Sequence, residues 1–213
     1  MTIEVTDIDG VVCLTLNRPP VNALDAHTLA GLQDFLHAHD RQTPLVITGA
    51  GRAFCAGGDT KQFFTVDQDQ RLAMVAAINA VIGGLCAIEA PVVAAVNGHA
   101  TGTGFMLMVC ADWRIGVSGA AHQFALAEAR AGVNIPELGL PLLRHEVPAP
   151  LLRQLTLSGR ASDLTELLRW GVIDEVVSLA DLQSQAINRA RELASQDGFK
   201  AVKRQIRGPK ILG

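Results

Sequence analysis

PVVAAVNGHATGTGFMLMVCA, residues 91–111, is the stretch whose reading settles the architecture. It lies within 22 residues between Glu89 and Asp112 that carry no formal charge, long enough in number to cross a bilayer. Its texture argues otherwise. Pro91 opens a β-branched run, Val92 to Val96, Asn97-Gly98 breaks it, and Thr101-Gly102-Thr103-Gly104 leads into a second apolar segment. That order reads as a buried strand, a turn and a buried helix, not as a membrane span.

Outward from there the same alternation recurs. Ile3 to Ile8 and Val11 to Asn17 flank Asp9-Gly10, a hairpin signature because that dipeptide accepts positive φ in a tight turn. Asp25 is placed to cap a helix with Leu29, Leu32 and Leu36 on one face. Leu45 to Thr48 reads as a buried strand. Residues 72–88 carry no charge at all and suit a helix covered nearly all round. Trp113 to Val117 and Val172 to Val177 read as further strands, with a helix between Asp163 and Gly171, where Glu166 completes a capping pattern. A last amphipathic helix is expected over about Leu179 to Ser195, with Leu182, Ala186, Ala190 and Leu193 on one side. Alternating β and α units imply a layered α/β fold.

A chain of 213 residues is one domain long, and 49% apolar against 18% charged residues excludes a disordered protein. The net charge of −3 gives no reason to expect nucleic acid or an anionic membrane as partner. Arg189, Arg191, Lys200, Lys203, Arg204, Arg207 and Lys210 nevertheless make the last 25 residues basic, a feature that suits an anionic ligand or a solvated face. Cys13, Cys55, Cys86 and Cys110 form no CxxC pair, so neither a metal site nor a disulfide framework is expected. Acidic residues Glu4, Asp7 and Asp9 interrupt the N-terminus before any signal-like apolar run, and a cytoplasmic location is the expectation.

Familiar catalytic motifs fail on inspection. After Gly49-Ala50-Gly51 the third glycine of a dinucleotide-binding turn would fall on Phe54, no Walker lysine follows Gly57-Gly58, and His145-Glu146 lacks a second zinc-binding histidine. Two glycine-rich breaks remain, Ala53 to Asp59 and Gly98 to Gly104. Small residues there let backbone N–H groups approach a ligand, and a helix N-terminus adds partial positive charge, so together the breaks are suited to one oxyanion.

Leu16-Asn17-Arg18-Pro19 with Asn22-Ala23-Leu24, then Ala53-Phe54-Cys55-Ala56-Gly57-Gly58-Asp59, Ala94-Ala95-Val96-Asn97-Gly98-His99-Ala100, Phe124 with Ala127-Glu128, Leu157-Ser158-Gly159-Arg160 and Trp170-Gly171-Val172-Ile173 occur in this order. Over about residues 1 to 180 the chain thereby resembles the crotonase (enoyl-CoA hydratase/isomerase) family. The resemblance implies a spiral of ββα turns, here residues 1–178 as the core and 179–213 as a shortened C-terminal helical region of the same domain. It implies an acyl-CoA thioester substrate, no cofactor beyond the coenzyme A of that substrate, and assembly as a homotrimer or dimer of trimers.

The shared chemistry of such proteins is stabilisation of an enolate by two backbone N–H groups. By resemblance these fall on Ala56 and on Thr103, where the family usually has glycine. Ala23, Ala53, Gly57, Gly58, Asp59, Gly102, Gly104 and Met106 are the implied substrate-binding positions. Hydratases of the family hold water between two glutamates. The first of these positions is Met106 and the second is Glu128, so the usual water clamp is incomplete, and double-bond migration by a single glutamate is the reaction implied. Glu137, after Pro136, is the candidate for a second acid, and Arg130 is a candidate to neutralise Glu128. Hydration, decarboxylation of an acyl-CoA and catalytically silent acyl-CoA binding are the alternatives.

Overall fold

The computed structural model describes residues 2–119 and 121–208. The hairpin forms as the turn signature requires: β1 (Ile3–Ile8) and β2 (Val11–Leu16) pair antiparallel, with Asp9 and Gly10 at φ 52° and 81°. Asp25 accepts from Thr28 N and starts α1 (Ala26–Ala38), which buries Leu29, Leu32 and Leu36. Then follow β3 (Leu45–Gly49), β4 (Ala53–Cys55), α2 (Thr60–Thr65), α3 (Gln68–Cys86), β5 (Val92–Val96), β6 (His99–Thr101), α4 (Thr103–Val109), β7 (Trp113–Val117), β8 (Phe124–Ala125) and α5 (Glu128–Ala131). The C-terminal part holds α6 (Gly139–Glu146), α7 (Ala149–Ser158), β9 (Ala161–Ser162), α8 (Leu164–Arg169), β10 (Glu175–Val177), α9 (Leu182–Ala194) and α10 (Phe199–Arg207).

The strands sort into two sheets, ordered β1-β2-β3-β5-β7-β10 and β4-β6-β8-β9. After the β1–β2 hairpin, the three units that begin at β3, β5 and β7 each send one strand to the large sheet, the next to the small sheet, and then turn into helix, which is the expected spiral of ββα turns. The large sheet is parallel from β2 onward and buried on both faces. Strand periodicity divides its residues: Leu14, Leu16, Leu45, Ile47, Val92, Ala94 and Val96 join the main core with α1, α3 and α4, whereas Cys13, Val46, Val93, Ala95 and Ile115 pack beneath Leu182, Ala186, Ile187 and Ala190 of α9.

Residues 91–111 fold as read: β5, a turn, β6 and a fully buried α4, and no helix among the described residues is long and apolar enough to cross a membrane. Three expectations need correction. Residues 72–86 lie in a helix that ends at Cys86, two residues short of the expected stretch, and only one face is covered; Met74, Ile78, Val81, Ile82 and Leu85 are buried while Leu72 is 60% exposed, because small uncharged residues on the outer face imitate a core sequence. The strand expected over Val172 to Val177 begins only at Glu175, since Gly171 ends α8 at φ 69° and leaves Val172 and Ile173 as a buried turn. The basic C-terminal residues are mostly engaged within the chain. Lys203 and Arg207 reach Asp112 at 2.6 and 3.1 Å, Arg207 also reaches Glu146, Arg189 pairs with Glu175 and Glu192, Arg191 with Asp9, and Arg204 with Glu89. Lys210 lies outside the described residues.

Candidate active site

Three neighbouring strands of the small sheet, β4, β6 and β8, run parallel, so their carboxyl ends open on one side. The chain leaving β4 carries Ala56 to Asp59, the chain leaving β6 carries Gly102 and Thr103, and the chain leaving β8 carries Glu128. Strand direction alone therefore gathers three segments spread over about 70 residues of sequence, in the crevice beyond strand ends where ligands of such sheets bind.

The turn between β3 and β4 is set by two buried asparagines. Asn22, held at φ 55°, donates from Nδ2 to Ala50 O and Ala53 O, and its Oδ1 accepts from Arg18 N. Asn97 donates to Gly51 O and Ala53 O while its Oδ1 accepts from Gly49 N. Both amides converge on Ala53 O, which explains why Ala53 is wholly buried rather than open to a ligand. Beyond it, Asp59 caps α2 through Gln62 N and pairs with Arg18 at 2.9 Å, and Arg18 Nη1 donates to Ala23 O. Resemblance located these residues, but the asparagine bonds and the Arg18–Asp59 pair emerge only from the folded geometry, because they join segments distant in sequence.

Glycines let the segments meet. Gly57 has φ 84°, and a Cβ there would lie 3.1 Å from Thr103 N; a Cβ on Gly104 would fall 2.1 Å from Cys55 O. Thr101 Oγ1 donates to Ala56 O at 2.9 Å and ties the two loops together. Thr103 begins α4 with no side-chain cap before it, and its N–H has no acceptor among the described residues. The expected partner amide is differently engaged. Ala56 N–H donates to Val21 O at 3.0 Å, because residues 21–24 run beside 56–59 like an added strand, with Leu24 N bonded to Gly57 O and Asp59 N to Leu24 O. A ligand oxygen reaches that amide only by displacing Val21 O.

Glu128 completes the arrangement. It is 9% exposed, its Oε2 is buried without a hydrogen-bond partner, and a Cβ on Gly102 would stand 3.4 Å from its Oε1. Burial raises its carboxyl above the ordinary glutamate range. Gly102, at φ 55° and ψ −128°, takes a conformation open to glycine and leaves room for that carboxyl. Arg130 does not neutralise Glu128; its Nη2 donates to Ser158 O and its side chain packs over Gly159. Met106 lies one turn beyond Gly102, fully buried, with its sulfur 2.7 Å from where a Gly139 Cβ would be. Glu137 is exposed on the turn into α6 and makes no ion pair with the other described residues. Among the described residues no group of three or more His, Cys, Asp or Glu is placed to hold a metal.

A buried carboxyl with an unpaired oxygen stands beside the uncapped N-terminus of a helix, on a spiral of ββα turns, an arrangement chemically suited to moving a proton next to an anionic oxygen. The pattern of the enoyl-CoA hydratase/isomerase family matches residues 6–209, and the chain belongs to that family. It is similar to the carnitinyl-CoA dehydratase of Escherichia coli K12, with 34% identity over 202 residues covering 92% of this chain and 74% of the relative. Among solved structures it resembles Pseudomonas aeruginosa DspI, with 27% identity and a TM-score of 0.88 over 98% of this chain and 81% of that one. A Mycobacterium tuberculosis enoyl-CoA isomerase superimposes with a TM-score of 0.89 at 26% identity, covering 99% of this chain and 93% of that one.

Proposed function

We propose that this family member is an isomerase that moves the double bond of a 3-enoyl-CoA to the 2-position. The observation that carries the reading is Glu128: a single desolvated carboxyl adjoins the oxyanion site, and Met106 occupies the position from which a second carboxyl would hold water. In this reading the Glu128 carboxylate takes a proton from C2, the negative charge spreads onto the thioester oxygen, and the proton returns to C4. The electron pair left at C2 becomes the new C2–C3 double bond and Glu128 ends ionised, as it began. Thr103 N–H and the partial positive charge at the start of α4 stabilise the enolate oxygen, whereas Ala56 N–H, bonded to Val21 O, takes no part in this reading.

Desolvation serves this chemistry, because a carboxyl with a raised pKa is a stronger base toward a carbon acid. Hydration or dehydration is the second reading, favoured by the 34% identity to a carnitinyl-CoA dehydratase. Conversion of 3-enoyl-CoA and hydration of 2-enoyl-CoA, assayed side by side, separate the two. Assembly as a homotrimer or dimer of trimers belongs to the same proposal, supported by the apolar side chains Phe64, Leu72, Val202 and Ile206 left exposed on the single chain.

A further inference from the structure

Two cysteines that take no part in the chemistry above are neighbours. Cys86 closes α3 and Cys110 caps the C-terminal end of α4. Their sulfurs lie 3.8 Å apart in the core, the Cys86 thiol donating to Cys110 Sγ. Cys13 and Cys55 face backbone carbonyls instead, those of Val11 and Asn22. We propose that Cys86 and Cys110 are an oxidisable dithiol, closed to a disulfide by hydrogen peroxide, and that closure slows the site by displacing α4.

The surroundings select Cys86 as the sulfur that reacts first. Once Cys86 is ionised its sulfur accepts from the Cys110 thiol, and this bond, together with the charges of Arg207 and Lys203, holds Cys86 below the usual value, whereas Cys110 is held well above and burial pushes Cys55 up to about 12. Lys203 and Arg207 also line a groove of about 410 Å³ with Phe199, Val202 and Ile206 of α10, and Arg207 donates to the Cys110 carbonyl, which puts this surface one residue away from the pair. The Cys86 thiolate attacks one peroxide oxygen, the O–O bond breaks, and the departing hydroxide takes a proton to leave as water. The Cys110 sulfur then displaces the hydroxyl of the sulfenic acid, which leaves with the Cys110 thiol proton as a second water. Two thiols and one peroxide thus give one disulfide and two waters.

Closure draws the sulfurs from 3.8 Å to about 2.05 Å. Helix α4 spans only Thr103–Val109 and is buried throughout, so a shift at its Cys110 end is transmitted to Thr103 at the other. That consequence rests on the isomerase reading; the disulfide itself does not. Residues 72–114 contain no Lys or Arg before Arg114, so trypsin releases both cysteines in one fragment. After treatment of the reduced protein with hydrogen peroxide and alkylation, this fragment is expected two hydrogens lighter and unalkylated, with dithiothreitol reversing the change. Hydrogen exchange at Thr103 to Phe105 is expected to alter, and turnover to fall about tenfold or more, since displacement of catalytic groups by about 1 Å costs up to ~100-fold. Cys86→Ala and Cys110→Ala are each expected to abolish these effects while keeping basal turnover. Four intact thiols, oxidation at Cys13 or Cys55 instead, or a disulfide that leaves α4 exchange unaltered would overturn the proposal. Absence of turnover in the reduced protein speaks only against the isomerase reading, because fragment mass and exchange still decide this one.

Discussion

A buried carboxyl oxygen without a partner, such as Glu128 Oε2, costs a protein about 1 to 3 kcal/mol and persists where function requires it. Because burial raises the Glu128 pKa, the folded chain holds that proton more tightly than the unfolded chain, whose value is near 4.5. Below 4.5 both states are protonated and burial carries no ionic cost; as pH rises through the raised folded value, ionised Glu128 destabilises the fold. Glu128→Gln is therefore expected to raise the melting temperature at neutral pH and to lose that advantage in acid, which thermal melts across pH will check. A lower melting temperature at neutral pH would contradict the burial argument. Glu128 was legible in the sequence through the family resemblance, but its missing partner was not: nothing in Glu128-Ala129-Arg130 announces that Arg130 turns to Ser158 O.

At the scale of elements, the hairpin, α1 and the β5-to-α4 passage were readable because each is governed by local signals: Asp9-Gly10, the Asp25 cap, and an apolar run broken at Asn97-Gly98. The outer face of α3 and the strand expected from Val172 were misread because tertiary covering, not local pattern, decides them. The pairing of Ala56 N with Val21 O escaped the sequence for the same reason, as it joins segments 35 residues apart. The loop that leads into β4, and so to Ala56, depends on Asn22, whose amide donates to Ala50 O and Ala53 O. Asn22→Ala removes those bonds from a buried position and is expected to cost about 1 to 3 kcal/mol, read as a shift of the denaturant midpoint. Turnover should fall beyond what the unfolded fraction explains, since the loop positions the oxyanion site. Unchanged kinetics in Asn22→Ala would remove that asparagine from the account.

Across the whole molecule, the last helix, α10, is fastened by charge, its buried side chains being Lys203 and Arg207, whereas α9 before it is held by apolar contact. Arg114 and Arg207 both engage Glu146, and Arg207 and Lys203 both engage Asp112, all of them at most 9% exposed at the side chain. Removing one member strands its partners, so Glu146→Ala is expected to cost about 3 to 5 kcal/mol, measurable by denaturant unfolding. The sequence showed the basic end plainly but not its destination, because Asp112 and Glu146 lie about 60 to 95 residues away along the chain. Light scattering at micromolar concentration is expected to give a trimer or hexamer, and a monodisperse monomer would contradict the assembly proposed from the exposed apolar side chains.

The central claim is that one carboxyl moves one proton beside a stabilised oxyanion, and the most direct measurement is the conversion of 3-enoyl-CoA to 2-enoyl-CoA by the wild-type chain and by Glu128→Gln. The wild type is expected to isomerise readily and to hydrate 2-enoyl-CoA poorly. Glu128→Gln is expected to lose about 10²- to 10⁴-fold in isomerisation rate with little change in ligand binding. Efficient hydration by the wild type that survives in Glu128→Gln would contradict the claim.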